Sequence, residues 1–182
     1  MVLMLTTEGQ ASRVLTAYTD VLVERGTRGA TLEEVARRAG LSKAGVLHHF
    51  ASMRTLRSTL LHEVRAQAQA DVEVMQNAPE GPLRYYLVTS LQRDSELERV
   101  IEACTRIAQT GDQEALDVLR ESRKGWLDLL QSATGNSSLS RMILMIGDGI
   151  NYNSLLRLER DEQFLTEELL DDILELLGRI SD

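Results

Sequence analysis

Residues 31–50 of this 182-residue chain read TLEEVARRAGLSKAGVLHHF. Thr31 is followed three residues later by Glu34, which is the pattern of a capping box at the start of a helix. Gly40 can take the left-handed conformation that ends a helix, and Ser42 is placed to cap a second short helix directly after it. Two short helices joined by a three-residue turn that contains Gly predict a helix-turn-helix.

We expect the second helix of this motif, predicted over 43–49, to have a solvent-exposed face made largely of small and polar residues. Its outward residues are Lys43, Ala44, Leu47 and His48. Small residues at 44 and 45 would let the helix approach base edges in a DNA major groove, and Ser42 with the free amides at the helix start suits a phosphate. We therefore predict a DNA-binding surface that comprises Arg28, Thr31, Ser42, Lys43, Ala44, Gly45, Leu47, His48 and Arg54.

The distribution of charge supports this location. The chain has 20 basic and 28 acidic residues and a formal charge of -8, yet residues 1–52 hold six basic and five acidic groups, which gives +1. Within 28–66 the excess is seven basic against three acidic, or +4, and all three histidines lie there. A positive face on an acidic body favours phosphate binding at one end. The alternative is a solvated helical face with incidental charge.

The composition predicts an all-α protein. Two prolines and 12 glycines are few, hydrophobic residues make up 43%, and no segment shows the period of a strand. We predict about nine helices: helix 1 from about Glu8 to Arg25, the two helices of the motif, a long helix 4 from a cap at Ser52 to Gln76, and helices over 83–91, 95–110, 113–133, 138–159 and 166–180.

Several protein classes are not expected. The longest apolar runs, Met142–Ile146 and Met1–Leu5, are far shorter than the ~20 residues that span a bilayer. The second run lacks the basic flank of a signal peptide. A single cysteine, Cys104, excludes an intramolecular disulfide, so we expect a cytoplasmic protein with no membrane partner.

The motif resembles the TetR family of bacterial transcription repressors. The likeness is specific over residues 8–62 and lies in Thr31, Glu34-Val35-Ala36, Ala39-Gly40-Leu41-Ser42-Lys43, His49-Phe50, Ser52 and Leu56. It implies a helix-turn-helix DNA-binding domain over 1–52, joined by helix 4 to a ligand-binding and dimerisation domain over 53–182. It also implies a nucleoid-associated homodimer that binds double-stranded DNA at a palindromic operator and is released by a small lipophilic effector.

A weaker likeness points to the subgroup that senses multiple lipophilic drugs. It lies in SKAGVLHHF over 42–50, PEGPL over 79–83 and Gly147-Asp148-Gly149. The chain departs from the family at Leu47, where a phosphate-binding tyrosine is usual, and at Met53, where lysine is frequent. Arg54 is the candidate to replace the second phosphate contact, and Leu47 to meet a thymine methyl group.

Dimerisation is predicted from helix 9, whose leucines and isoleucines between 169 and 180 occupy more than one stripe. A terminal helix covered on one side only would expose part of that surface, whereas helices 8 and 9 of two chains would form a four-helix bundle. The alternative is a simple core helix.

An effector site is predicted from aromatic and polar residues in the later helices: Trp126, Asp148, Asn151, Tyr152, Tyr86 and Met75. Asp148 lies within an apolar helix, where a carboxylate needs a partner. That partner is either a protein group or a cationic or polar effector. Trp126 is either a pocket wall, as in the drug-sensing subgroup, or ordinary core. Cys104 is expected to be a small buried residue, with redox sensing as the alternative.

No catalytic constellation is evident in the sequence. The histidines lack matched acidic partners, and Gly147-Asp148-Gly149 lacks the preceding strand of a nucleotide-binding loop. We expect no enzyme, no metal and no cofactor. Two other classes remain as alternatives to the ligand-responsive repressor: a helical protein-interaction adaptor without DNA binding, and a helical carrier of small molecules.

Overall fold

The structure, a computed structural model, describes the backbone of residues 2–92, 95–155 and 167–181. These ranges hold nine α-helices and no strand, which confirms the prediction of an all-α fold. The helices are α1 Val2–Gly29, α2 Leu32–Ala39, α3 Lys43–His49, α4 Met53–Gln76, α5 Pro82–Thr89, α6 Glu96–Ala108, α7 Gln113–Thr134, α8 Ser137–Leu155 and α9 Glu167–Ser181.

The predicted caps of the helix-turn-helix are present. The Thr31 hydroxyl accepts a hydrogen bond from the Glu34 amide at 3.2 Å, and the Ser42 hydroxyl accepts one from the Gly45 amide at 3.0 Å. Gly40 ends α2 at φ 67° and ψ 34°, the left-handed region that glycine enters without a steric penalty. The bounds of α3 are those predicted.

Helix α1 is longer than predicted, because it begins at Val2 rather than near Glu8 and continues to Gly29. Its expected end near Gly26 coincides with a kink, since Gly26 has φ 65° and ψ -173° and interrupts the helical geometry. No proline lies between residues 2 and 8 to stop the helix toward its start. The predicted end of helix 8 at 159 and the break at 161–166 fall outside the described residues.

The chain forms two compact units. The first comprises Met1–Gln67 and Glu96–Glu121. In it, α1 packs against α2, α3 and α6. The side chains of all four helices and of the first half of α4 share one hydrophobic core, with Leu22, Val35, Val46, Leu56 and Ile107 among its buried members. This core fixes the position of α3.

The second unit comprises Ala68–Ser95 and Ser122–Asp182, in which α5 packs against α8 and α9. Its buried side chains include Met75, Leu87, Leu130, Ile143 and Leu170. Both α4 and α7 contribute residues to both units. The functional division at 52/53 stays a prediction, because these units rest on packing and not on activity.

Within the described ranges, no helix is long and apolar enough to cross a membrane. The same ranges contain no group of three or more His, Cys, Asp or Glu side chains arranged to hold a metal ion.

Candidate functional site

The outer face of α3 is available to a partner. Lys43, Ala44, Leu47 and His48 are exposed, while Val46 is buried in the core of the first unit. Leu47 is 41% exposed, so its side chain is open to a partner. The face therefore combines one cation, one imidazole and apolar groups, a combination that can contact phosphates and base edges.

The two small residues of α3 lie in different surroundings. Ala44 is exposed, whereas a Cβ atom at half-buried Gly45 would lie 3.4 Å from the Ser42 hydroxyl oxygen and 3.5 Å from Cβ of Leu41. A side chain at Gly45 would therefore rest against the turn that precedes α3. Ala44 is the residue that keeps the exposed face of α3 small.

Lys43 forms an ion pair with Glu33 of α2, with 2.8 Å between Nζ and Oε2. The hydrogen bond and charge of Lys43 lower the pKa of Glu33. Both side chains are well exposed, and exposed pairs of this kind contribute little to stability. A phosphate could therefore replace Glu33 as the partner of Lys43 at small cost.

Several cations counted in the positive segment are already neutralised. Arg37 forms two hydrogen bonds with Glu34, and Arg38 pairs with Glu24 and Asp20. Sequence alone did not reveal these partners, because two of the acids lie on α1. In contrast, Arg28 and Arg54 are exposed and form no ion pair with any residue that the structure describes.

Arg57 and Arg65 are also compensated. Arg57 pairs with Asp112 and Glu114, and Arg65 pairs with Glu121 at 2.8 Å. Of the seven basic residues at 28–66, Arg28 and Arg54 form no ion pair with a described residue. Arg37, Lys43 and Arg65 are in exposed pairs, and of these three Lys43 lies on α3. Arg28, Lys43 and Arg54 are therefore our candidates to contact a phosphate.

The second unit contains a polar cluster centred on Asp71, a residue that was not predicted. The Trp126 indole N–H donates to Oδ2 of Asp71 at 2.8 Å, and the Tyr85 hydroxyl donates to Oδ1 at 2.9 Å. Partial burial, followed by the hydrogen bond to Asp71, raises the pKa of Tyr85 to about 12. A signal was present in the sequence, since Asp71 continues the apolar stripe of α4 between Ala68 and Met75.

Two predicted effector residues lie side by side in this cluster. The ring centroids of Tyr86 and Trp126 are 6.4 Å apart, and both rings are buried. Gly147 of α8 allows the close approach of Tyr86, since a Cβ atom there would lie 2.3 Å from Cε1 of the ring. Met75 is also fully buried. Trp126 thus has both a neighbouring aromatic ring and a polar partner.

Asp148 has a partner within the protein. It forms an ion pair with Arg123 of α7, although its side chain remains 39% exposed. Partial burial raises the pKa of Asp148, and the charge of Arg123 opposes that shift. The predicted alternative of a protein partner is therefore realised, and a role toward an effector stays a prediction. Asn151 is half-buried, while Tyr152 is 62% exposed.

Cys104 is fully buried in the first unit, and its thiol donates to the Ala115 carbonyl at 3.6 Å. Burial raises the pKa of Cys104 to about 11, so the reactive thiolate is scarce at neutral pH. Reactive cysteines have the opposite character, a lowered pKa and some exposure. Cys104 therefore behaves as a small core residue.

Two family profiles match the chain. The one described as "Bacterial regulatory proteins, tetR family" matches residues 14–60, and "Tetracyclin repressor-like, C-terminal domain" matches residues 80–178. The chain belongs to the tetR family. It is thus a transcriptional regulator, and the predicted resemblance is confirmed. No curated protein matches it in sequence.

Solved structures of similar fold cover nearly the whole of this tetR-family chain. A transcriptional regulator from Rhodococcus sp. Rha1 is 21% identical over 93% of this chain and 95% of its own, with a TM-score of 0.63. NalD, the secondary repressor of the MexAB-OprM multidrug efflux pump in Pseudomonas aeruginosa, is 18% identical over 96% of each chain, with a TM-score of 0.64. The multidrug binding protein EbrR, complexed with malachite green, is 21% identical over 92% of this chain and 96% of its own, with a TM-score of 0.66.

Proposed function

We propose that this regulator is a homodimeric repressor that binds a palindromic DNA operator through α3. The observation that carries the proposal is the exposed face of α3, with Lys43 on it and the unpaired cations Arg28 and Arg54 elsewhere in the same unit. Phosphate contacts from these three residues would set the position on DNA, and Ala44, Leu47 and His48 would face base edges. Residues 1–52 would then form the DNA-binding domain.

The homodimer is supported by apolar residues that the single chain leaves exposed on α8 and α9. Met145 is 69% exposed, Tyr152 62% and Leu176 56%, although Leu170 and Leu177 of α9 are buried. Large apolar side chains exposed on two helices favour burial against a second copy. The DNA-binding domains of the two copies would then contact successive major grooves about 34 Å apart.

The effector site is proposed in residues 53–182, around Trp126, Tyr86 and Met75, with Asp148, Asn151 and Tyr152 contributed by α8. Aromatic and methionine side chains suit a lipophilic molecule. The likeness to NalD, a repressor of a multidrug efflux pump, and to EbrR, a multidrug binding protein, supports this class of effector. Its binding would release DNA, and a coupling of roughly 1–3 kcal/mol would be enough.

The same proposal places the protein in the bacterial cytoplasm, at the nucleoid, with no membrane partner and no enzymatic activity of its own. DNA would be its macromolecular partner and the effector its small-molecule partner. No cofactor is part of this proposal.

A mobility-shift assay on DNA upstream of the protein's own gene tests the function. We expect a shift that weakens with salt and with Lys43→Ala, because each phosphate contact releases counterions. Lys124→Ala is the control, since Lys124 is also an exposed lysine in an ion pair but lies on α7. No shift at low salt on any promoter fragment would instead favour the alternative, a protein-interaction adaptor.

A further inference from the structure

The first unit contains an open cavity of about 610 Å³ at its surface, to which the proposed function assigns no ligand. It is lined by residues of α1, α4 and the start of α7, including Tyr18, Arg54 and Arg57. Cavities of about 300–1,000 Å³ are typical of sites for small molecules. The cavity is therefore large enough for a small molecule, and the residues of its wall determine which chemical groups it can bind.

Tyr18 supplies an unused hydrogen-bonding group in this wall. Its side chain is only 5% exposed, and its hydroxyl makes no hydrogen bond with any residue that the structure describes. Among the described residues, every side-chain nitrogen or oxygen that is fully buried has a hydrogen-bond partner. The Tyr18 hydroxyl has none, so it is not fully buried. Because Tyr18 lines the cavity, we infer that its hydroxyl opens onto it. Burial raises the pKa of Tyr18 to about 12, so the hydroxyl keeps its proton and can donate it to a ligand.

The wall holds two arginines and two carboxylates, so its charges balance, and of these four groups Arg54 is the one available to a negatively charged ligand. Arg57 is paired with both carboxylates of the wall, because it donates to Asp112 from Nε at 2.9 Å and from Nη2, and to Glu114 from Nη1 at 2.9 Å. Asp112 also accepts the Ala115 amide at 3.0 Å. Both carboxylates of the wall are thus occupied, whereas Arg54 has no ion-pair partner among the described residues.

The rest of the wall is apolar in part. Half-buried Ala30 and Met53 contribute apolar surface to the wall, whereas Leu22, which also borders the cavity, is fully buried. A bare inorganic anion would leave this apolar surface in contact with water. An anion that carries an apolar body would cover it and gain from its burial.

We propose that this cavity binds a small organic carboxylate with an apolar body. Its carboxylate contacts the Arg54 guanidinium and the Tyr18 hydroxyl, and its body lies against Ala30 and Met53. This site is separate from the effector site proposed around Trp126. If the protein binds DNA as proposed above, the ligand also weakens DNA binding, because Arg54 cannot hold a DNA phosphate and the carboxylate at the same time.

Fluorine NMR with 4-fluorobenzoate as the probe tests the site on the full chain without DNA. We expect millimolar binding, with clearly weaker binding of 4-fluorobenzamide and 4-fluorobenzylamine, which have the same ring but no negative charge. Tyr18→Phe keeps the buried ring and removes only the hydroxyl, so it should weaken binding about tenfold. Arg54→Gln should weaken it at least as much, and Arg141→Gln, which changes an exposed arginine of α8 in the second unit, should leave it unchanged.

Equal binding of the three probes, binding unaffected by both Tyr18→Phe and Arg54→Gln, or displacement of 4-fluorobenzoate by an equal concentration of inorganic phosphate would overturn the proposal. Backbone amide shifts confined to residues near 18 and 54 give a second readout that does not depend on a variant. For DNA, the probe should reduce the affinity of the wild-type protein and not that of Tyr18→Phe. If the protein binds no DNA at all, the proposed function fails while the NMR result still decides the site.

Discussion

Asp71 of α4 and Trp126 of α7 are joined by a hydrogen bond of 2.8 Å from the indole N–H to the carboxylate. Trp126 is the only tryptophan of the chain, so its fluorescence reports on this contact directly. The same carboxylate holds Tyr85, which makes Asp71 the common acceptor of two aromatic donors in the proposed effector region.

Replacement of this acceptor should destabilise the protein. In Asp71→Ala, the buried Trp126 N–H loses its partner, and an unsatisfied buried donor costs about 1–3 kcal/mol. Urea unfolding monitored by Trp126 emission measures the change. Asp128→Ala is the control, because Asp128 is exposed on α7 and pairs with Lys124 four residues away. Equal stability of the two variants would contradict the role of Asp71.

Two glycines of α8 should respond in opposite directions to the same substitution. Gly147→Ala places a Cβ atom against the buried Tyr86 ring and 3.0 Å from the Ser90 hydroxyl, which should cost about 1–3 kcal/mol. Gly149→Ala meets nothing within 4 Å and should stabilise the helix by about 0.5–1 kcal/mol. Thermal unfolding of both variants checks the pair. A stabilised Gly147→Ala would show that Tyr86 is not packed there.

The unpaired arginines should control DNA affinity without changing sequence preference. We expect Arg28→Ala and Arg54→Ala each to reduce the slope of log affinity against log salt concentration by about one unit, because each removes one phosphate contact. Fluorescence anisotropy at several salt concentrations gives the slope. Arg37→Ala is the matched control, since Arg37 is also exposed in the first unit but is held by Glu34. A comparable drop in the slope for Arg37→Ala would argue against this division of the cations.

Alkaline pH should destabilise the first unit. Burial raises the pKa of Cys104 from 9.0 to about 11 and that of Tyr18 from 10.0 to about 12. The unfolded chain therefore loses these protons first, so stability is fully present below pH 9 and falls as pH rises toward 12. Cys104→Ser should remove the part of the loss between pH 9 and 11, at most about 3 kcal/mol. An unchanged pH profile of the urea midpoint in Cys104→Ser would contradict this assignment.

The local structure of the helix-turn-helix was predictable, whereas the partner of each helix was not. The helix ends are set by local hydrogen bonds and dihedral angles at Thr31, Gly40 and Ser42. Because these interactions involve residues only a few positions apart, the local sequence is enough to predict them. The apolar face of α6, in contrast, could pack against any other apolar face. It packs on α1, in the unit that holds α3.

The candidate sites show the same limit. The outward residues of α3 follow from helical periodicity, but the pairing of Arg38 with Glu24 and Asp20 depends on the folded position of α1. Asp71 was not predicted, because the sequence shows a polar residue on an apolar stripe but not that Trp126 and Tyr85 donate hydrogen bonds to it. The unused hydroxyl of Tyr18 is visible only once the surrounding cavity exists.

Hydroxyl-radical footprinting on a DNA fragment selected from a random pool tests most directly whether two copies of α3 read DNA. We predict two protected segments on one side of the duplex, one helical turn apart, for the wild-type protein and for Lys124→Ala. The protection should be lost at moderate salt in Lys43→Ala. A single protected segment, or protection of equal strength in Lys43→Ala, would contradict the account.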